Sequence, residues 1–321
     1  MPAVLSIDDL TVSFAQPSAR IAAVRQVSLA VQAGECVGIV GESGSGKTQV
    51  FMAAMGLLAV NGAAQGSVRF GGEEILGAPP RQLNRIRGSK LTMIFQDPMT
   101  SLTPHLKIGT LLAEVLVCHT GSSWSEARAA AQRMLERVGV PEPARRLNQY
   151  PHELSGGLRQ RVMIAMSLLC EPSLVIADEP TTALDVTVQA QIIDLLAALR
   201  DQVGMALVLI SHDLAVMAGL AERILVMYAG RIVESASAVA LFRQALHPYS
   251  AELLKCIPSL SGPRLARLPT LPGQPPSPGD SSGGCAFAPR CPRAAARCRT
   301  ERPQLQEVSG AQVACHYPLS T

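Results

Sequence analysis

The chain has 321 residues, 48% of them hydrophobic but only 3% aromatic, with a formal net charge of +3. That length allows a large core and more than one domain, and the near-neutral balance argues against a polyanion binder. The expected class is an α/β protein whose core is built from Ala, Val, Leu, Ile and Met.

Met1 to Leu10 has neither a basic start nor an apolar run, so no secretory signal is expected there. Val4 to Phe14 and Val24 to Val31 alternate apolar and polar residues and predict an antiparallel edge sheet. Glu35 to Val40, Leu91 to Phe95, Ser173 to Ala177 and Ala206 to Ile210 are short apolar runs, as expected of strands covered on both faces. The longest uncharged stretch, Thr48 to Val68, is long enough on paper to span a bilayer. Its apolar part stops at Val60, and Asn61, Gly62, Gln65 and Gly66 follow, so a buried helix is predicted rather than a membrane crossing. Ser122 to Val138 has helical spacing and opens on Ser123-Trp124-Ser125-Glu126, a capping-box pattern. Strands alternating with helices over residues 1 to about 256 predict a mainly parallel sheet covered by helices.

Composition changes after residue 256. From Ile257 onward lie eleven of the 23 prolines, seven arginines against three acids, and four of the eight cysteines. Residues 257–321 therefore read as a separate module, entered through a Pro-, Gly- and Ser-rich linker from Pro269 to Gly284.

Gly41-Glu42-Ser43-Gly44-Ser45-Gly46-Lys47-Thr48 fits the phosphate-loop pattern G-x-x-x-x-G-K-S/T in full, between an apolar strand and a helix. The glycines let the backbone curl so that successive N–H groups face phosphate oxygens, and the helix start adds favourable dipole charge. Lys47 would reach the β- and γ-phosphates, Thr48 would ligate Mg²⁺, and Gln49 follows at the helix start. Only four of the 28 basic residues are lysines, which makes a chance lysine in a Gly/Ser turn a poor alternative. By itself the loop says only nucleoside triphosphate.

Leu174 to Ala177 is an apolar run ending in Asp178-Glu179. The first carboxylate suits a Mg²⁺ shell, and the second could polarise an attacking water. Alone, the pair reads as a solvated loop before Pro180. Upstream, however, Ser155-Gly156-Gly157 opens a second anion-binding helix start. Two phosphate-reading helix starts in one chain make sense if each site takes one of each from two subunits facing head to tail.

With these motifs the sequence resembles the ATP-binding-cassette family over residues 4 to about 256. The resemblance implies a P-loop NTPase cassette: a RecA-like core, an antiparallel β subdomain and a helical subdomain at about 97–170, followed here by the small Cys-rich C-terminal module. Gln96 resembles the Q-loop glutamine, Leu154 to Gln160 the signature motif, Asp178-Glu179 the Walker B pair and Ala183-Leu184-Asp185 the D-loop. His212 resembles the switch histidine, and Phe14 stands roughly where the family places an adenine-stacking aromatic, although an edge-strand phenylalanine is as readily core. Leu158 stands where many cassettes have Gln, a mark of the peptide-importer branch. The implied catalytic residues are Glu179, His212 and Gln96, with Thr48, Gln96 and Asp178 around Mg²⁺. ATP contacts fall to Phe14, Gly41, Ser43, Gly44, Ser45, Gly46, Lys47, Thr48 and Gln49, and contacts to the partner's ATP to Ser155, Gly156, Gly157 and Asp185.

Phe95 to Pro104, Asp178 to Gln191 and His247-Pro248-Tyr249 look like the bacterial dipeptide and oligopeptide importers. That resemblance implies a second, paralogous ATPase subunit, two transmembrane permeases and an extracytoplasmic peptide-binding protein. It places the chain on the cytoplasmic face of the inner membrane. Nickel import is the alternative within the branch. A soluble cassette acting on nucleic acid would need a coiled-coil insertion or a second cassette, and no nucleic-acid partner is expected.

Cys36, Cys118, Cys170 and Cys256 read as small buried apolar residues. Cys285, Cys291, Cys298 and Cys315, separated by five, six and sixteen residues, need another account, since a segment so poor in apolar residues usually needs a staple. Disulfides do not suit a reducing cytosol, and the usual paired zinc knuckles are missing. A 4Fe–4S cluster accepts four thiolates at irregular spacing, and the family resemblance implies one. Zinc, with His316 as a substitute ligand, is the alternative.

Overall fold

Aliphatic runs of five or six residues become the buried strands of the protein. The computed structural model describes residues 3–17, 19–97, 101–182, 184–257, 270–276 and 283–319. Residues Pro98 to Thr100 of the Q-loop segment, Ala183 and, in the linker, 269 and 277–282 lie outside them. The strands in chain order are β1 (Leu5–Ala15), β2 (Arg20–Val31), β3 (Cys36–Val40), β4 (Gly62–Phe70), β5 (Glu73–Glu74) and β6 (Leu91–Ile94). They continue with β7 (Leu174–Asp178), β8 (Ala206–Ser211), β9 (Arg223–Tyr228), β10 (Arg231–Ser237), β11 (Gln306–Val308) and β12 (Ala311–Val313). The chain divides into two compact units.

The first unit comprises residues 1–4, 31–35 and 78–210. Here β6, β7 and β8 run parallel, Leu91 facing Leu174 and Leu174 facing Ala206. The helices Ile108–Thr120, Trp124–Arg137 and Gly156–Leu168 pack on one another, and their Leu112, Ala131, Leu135 and Ile164 are fully buried. The capping box is present as the sequence predicts: Ser123 Oγ accepts from the Glu126 N–H and the Glu126 carboxylate accepts from the Ser123 N–H. Cys118 departs from expectation and is exposed. It lies two residues beyond Leu116, on the opposite side of a helix whose buried stripe runs through Leu112 and Leu116.

The second unit comprises residues 5–30, 36–77 and 211–321. One sheet has the order β2-β1-β4-β5, and β1 and β4 pair antiparallel from Leu5 opposite Phe70 to Phe14 opposite Gly62. The stretch Thr48 to Val68 is therefore not one buried helix. Helix Lys47–Ala54 stops before Gly56, which takes a left-handed φ of 60° and ends the helical path, and β4 follows. In the other sheet of this unit the strands run β11-β12-β10-β9-β3, with β3 parallel to β9 and the remaining pairs antiparallel. The Cys-bearing segment thus adds two strands to a sheet begun by the phosphate-loop strand.

What fastens that segment is an aromatic cluster in a chain otherwise poor in aromatics. Phe287, 2% exposed, lies 5.3 Å from the Tyr228 ring, 5.4 Å from Tyr249 and 5.9 Å from His247. Burying Phe287 contributes roughly 2–3 kcal/mol, with each ring pair adding about 0.5–1.5 kcal/mol. The cluster rests on buried Glu234, whose carboxylate accepts from the Leu246 and His247 N–H groups, and burial pushes its pKa up.

His247 is buried as the neutral ring: Nδ1 accepts from the Tyr249 N–H at 3.0 Å, and burial lowers its pKa to about 4 despite a bond to the Ala314 backbone that favours the charged form. The unfolded chain takes up this proton near pH 6.5, whereas the folded chain resists until about pH 4. Its contribution to stability is complete above about pH 6.5 and is lost as pH falls toward 4, on the order of 3 kcal/mol. Glu234 acts in the opposite sense over its own window, so comparison with a variant isolates the histidine. His247→Asn, which retains an acceptor for the Tyr249 N–H, should flatten the fall in Tm between pH 6.5 and 4 seen by thermal melts of the wild type; an unchanged slope would refute the assignment.

Candidate functional site

In the second unit, β3 delivers the chain to the phosphate loop with every residue buried. Gly41 leaves the strand so close to β9 that a Cβ would lie 2.2 Å from the Met227 carbonyl oxygen. Gly46 has φ 98°, and a Cβ there would lie 2.5 Å from the Ala23 carbonyl oxygen. Only glycine fits at both. Between them the chain curls so that Lys47, 6% exposed, places Nζ 2.7 Å from Gly41 O and 3.0 Å from Glu42 O.

The helix Lys47–Ala54 has no side-chain cap at Gly46, and its first turn, with Thr48 and Gln49, carries no acid. Ser45 is buried, its N–H donates to Glu42 O, and its hydroxyl has no hydrogen-bond partner. Uncapped helix amides, a buried orphan hydroxyl and a buried ammonium form a cradle suited to a polyanion. Ser43 and Gly44 lie on the same loop. Phe14 lies on β1 opposite Gly62, close enough that a Cβ on Gly62 would meet the ring at 3.0 Å. His212 follows β8 and is exposed, and Asp213 beside it caps the next helix.

In the first unit the parallel pairing of β6 with β7 brings Gln96 and Glu179 together beyond the strand ends. Gln96 Nε2 donates to Glu179 Oε2 at 2.9 Å, and Thr182 Oγ1 donates to the same oxygen at 2.9 Å. Glu179 has φ 46°, left-handed for a non-glycine residue, and its N–H donates to Ile210 O at 2.9 Å. Holding such a backbone costs about 1–3 kcal/mol and is typical of functional positions. Asp178, one residue earlier, is buried at the end of β7. Thr182 was missed as a site residue, because its role depends on a turn that its own residue type does not announce.

Ser155 caps the helix Gly156–Leu168, its hydroxyl accepting from the Leu158 N–H, and both Ser155 and Gly156 are exposed. Gly157 lies so near Val188 that a Cβ would come within 3.1 Å of its methyl carbon. Asp185 caps the helix Val186–Val203 by accepting from the Val188 N–H at 3.0 Å. The structure thus gathers Gln96, Asp178, Glu179, Ser155, Gly156, Gly157 and Asp185 in one unit, and the phosphate loop, Phe14, His212 and the cysteines in the other.

Cys285, Cys291, Cys298 and Cys315 all line one small cavity, with His247, Phe287 and His316. Burial first, and neighbouring thiols second, pushes up the pKa of Cys315, to about 11; Cys285 and Cys291 are also raised, chiefly by burial. Among the described residues no three His, Cys, Asp or Glu side chains converge closely enough to hold a single metal ion. Nor does any described helix have the length and apolarity to cross a membrane.

Residues 24–182 match the family described as ABC transporter, which gives the class. Residues 233–298 match the oligopeptide/dipeptide transporter C-terminal region. The chain is 50% identical over 315 residues to the oligopeptide transport ATP-binding protein OppD of Salmonella typhimurium, covering 98% of this chain and 94% of that one. It is 48% identical over 319 residues to the dipeptide transport ATP-binding protein DppD of Escherichia coli, covering 99% and 97%. Among solved structures, the dimeric ATP-binding cassette MJ0796 bound to ADP and Pi superposes with a TM-score of 0.66 at 29% identity, covering 73% of this chain and 98% of that one. The chain belongs to the ATP-binding subunits of oligopeptide and dipeptide ABC transporters, and it is an ATPase.

Gly46→Ala should lower ATP affinity at least tenfold in equilibrium binding, because the added carbon meets a backbone oxygen. Gly44→Ala, whose Cβ meets open space, should lose clearly less, because only its positive φ opposes the substitution. Equal losses would contradict the steric account.

Proposed function

We propose that this chain binds ATP with Mg²⁺, closes head to tail on a second, paralogous ATPase subunit, and hydrolyses ATP to drive uptake of dipeptides or oligopeptides. The observation that carries this reading is Glu179, held on a strained backbone by Gln96 and Thr182 next to buried Asp178. Near 50% identity to named peptide-transport subunits supports the substrate class.

In this reading the loop amides with Ser43 and Ser45, together with Lys47, Thr48 and Gln49, bind the phosphates, and Phe14 offers its ring to adenine. Thr48, Asp178 and Gln96 present the oxygen donors that Mg²⁺ prefers, and the bound ion would offset phosphate charge. Glu179 accepts a proton from water as that water attacks the γ-phosphorus and the bond to ADP breaks. His212 contacts the γ-phosphate, while Ser155, Gly156, Gly157 and Asp185 face the partner's nucleotide. The helical subdomain couples closure to two permeases on the cytoplasmic face of the inner membrane, and an extracytoplasmic binding protein delivers the peptide.

The four cysteines fit a 4Fe–4S cluster better than zinc. They line one cavity, a 4Fe–4S cluster accepts thiolates at irregular spacing, and the paired knuckles usual for zinc are missing from the sequence. The cluster's part is structural in this reading.

Glu179→Gln should retain ATP binding and lower turnover of the assembled transporter at least a hundredfold; near-normal ATPase activity would reject the assigned base. Purified anaerobically, the chain should contain iron and absorb near 400 nm (roughly, for thiolate-bound iron), both lost in Cys291→Ser. Stoichiometric zinc without iron would overturn the cluster assignment.

A further inference from the structure

Glu42, the second residue of the phosphate loop, is gripped at three places. Its N–H donates to the Tyr249 phenol oxygen at 3.0 Å, and its carbonyl accepts from Lys47 Nζ at 3.0 Å. Its carboxylate takes both arms of the Arg290 guanidinium, Nη1 to Oε2 at 2.6 Å and Nη2 to Oε1 at 2.9 Å. Arg290 is itself fixed. Its Nε donates to Pro272 O at 2.8 Å, Nη1 lies 3.3 Å from the Tyr228 hydroxyl, and the guanidinium carbon lies 5.8 Å from that ring's centre. The Arg290 side chain is 4% exposed and that of Glu42 27% exposed, so this is a half-buried fork-on-carboxylate pair rather than a fully exposed surface ion pair.

Arg290 closes the short helix Ala288–Arg290, directly before Cys291, and is 248 residues from Glu42 in sequence. A carboxylate on a loop built for phosphates is an electrostatic liability, since like charges at close range repel strongly in a partly dry site. Arg290 neutralises that charge and fixes the carboxylate's direction. It also anchors the residue whose carbonyl helps to place Lys47.

We propose that Arg290 is a positioning residue for nucleotide binding, so that the C-terminal segment completes the phosphate cradle of its own chain. This rests on the reading of Gly41 to Thr48 as that cradle.

The test uses the full chain in its assembled transporter, with MgATP affinity, ATP KM and kcat measured for Arg290→Ala, Arg290→Lys, Glu42→Gln and Arg290→Ala/Glu42→Gln. Arg290→Ala should weaken ATP affinity and raise KM roughly tenfold, the scale of losing a charge-assisted hydrogen bond, with kcat at saturating ATP within about twofold of wild type. Arg290→Lys, which keeps the charge but not the fork, should fall between. Adding Glu42→Gln to Arg290→Ala should recover much of the loss, because the unpaired carboxylate is gone. Wild-type affinity and KM in Arg290→Ala, even with a lowered Tm, would overturn the proposal. So would losses that simply multiply in the double variant. If Arg290→Ala does not fold, Arg290→Lys decides, and an unchanged KM there counts against the proposal. Lys47→Ala, measured alongside, separates the two readings: full ATP affinity in that variant removes the cradle itself, whereas its loss beside an unaffected Arg290→Ala removes only the role of Arg290.

Discussion

A buried ammonium needs oxygen around it, and the placement of Lys47 against two carbonyls of its own loop is the constraint from which the nucleotide end of the protein follows. Burying such a charge without partners costs several kcal/mol. Meeting that need within six residues forces the chain to double back, which only a loop with glycine at its crowded corners can do. The same curl leaves Ser45 buried with an unpartnered hydroxyl and the following helix uncapped. Stability and an unmet hydrogen-bonding need therefore have one origin: the curl that satisfies the lysine also buries the Ser45 hydroxyl without a partner.

The carboxylate side of the chemistry is built differently. There the parallel register of β6 and β7 sets Gln96 beside Glu179, and a left-handed backbone aims the glutamate. Two donors on a single oxygen, Oε2, fix the direction of the carboxylate. A side chain on an unstrained strand would have followed the alternation of β7 into one of its faces. The strain is small beside the several hydrogen bonds that hold the turn.

Much of this was legible in the sequence because its determinants are local. The apolar runs at Cys36, Leu91, Leu174 and Ala206 became strands within a residue or two of the expected ends, and Ser123 with Glu126 fixed a helix start. The tight curl at Gly41 and Gly46, the helix cap at Ser155 and the strand end at Asp178 were readable because backbone curl, helix capping and strand ends each demand particular residue types at fixed spacing. What escaped is long-range. The strand β4 hid in an Ala- and Gly-rich stretch whose only reason to extend is its partner β1. Cys118 was misjudged because residue type says less about burial than the face a helix turns outward. Arg290 and Glu42 carry no mutual signal, since their meeting depends on the aromatic cluster that docks residues from the far end of the chain.

The short hairpin of β11 and β12 has a significance beyond its size. It pairs with β10, Glu234 opposite Val313 and Ser235 opposite Gln312, so it occupies a strand edge that would otherwise present bare N–H and C=O groups. An open edge invites a second chain to add on, and proteins blunt such edges with short, polar strands. β11 is three residues long, with Gln306 and Glu307 exposed. Strands β11 and β12 therefore cover that edge: without them the backbone N–H and C=O groups of β10 on that side would stand exposed.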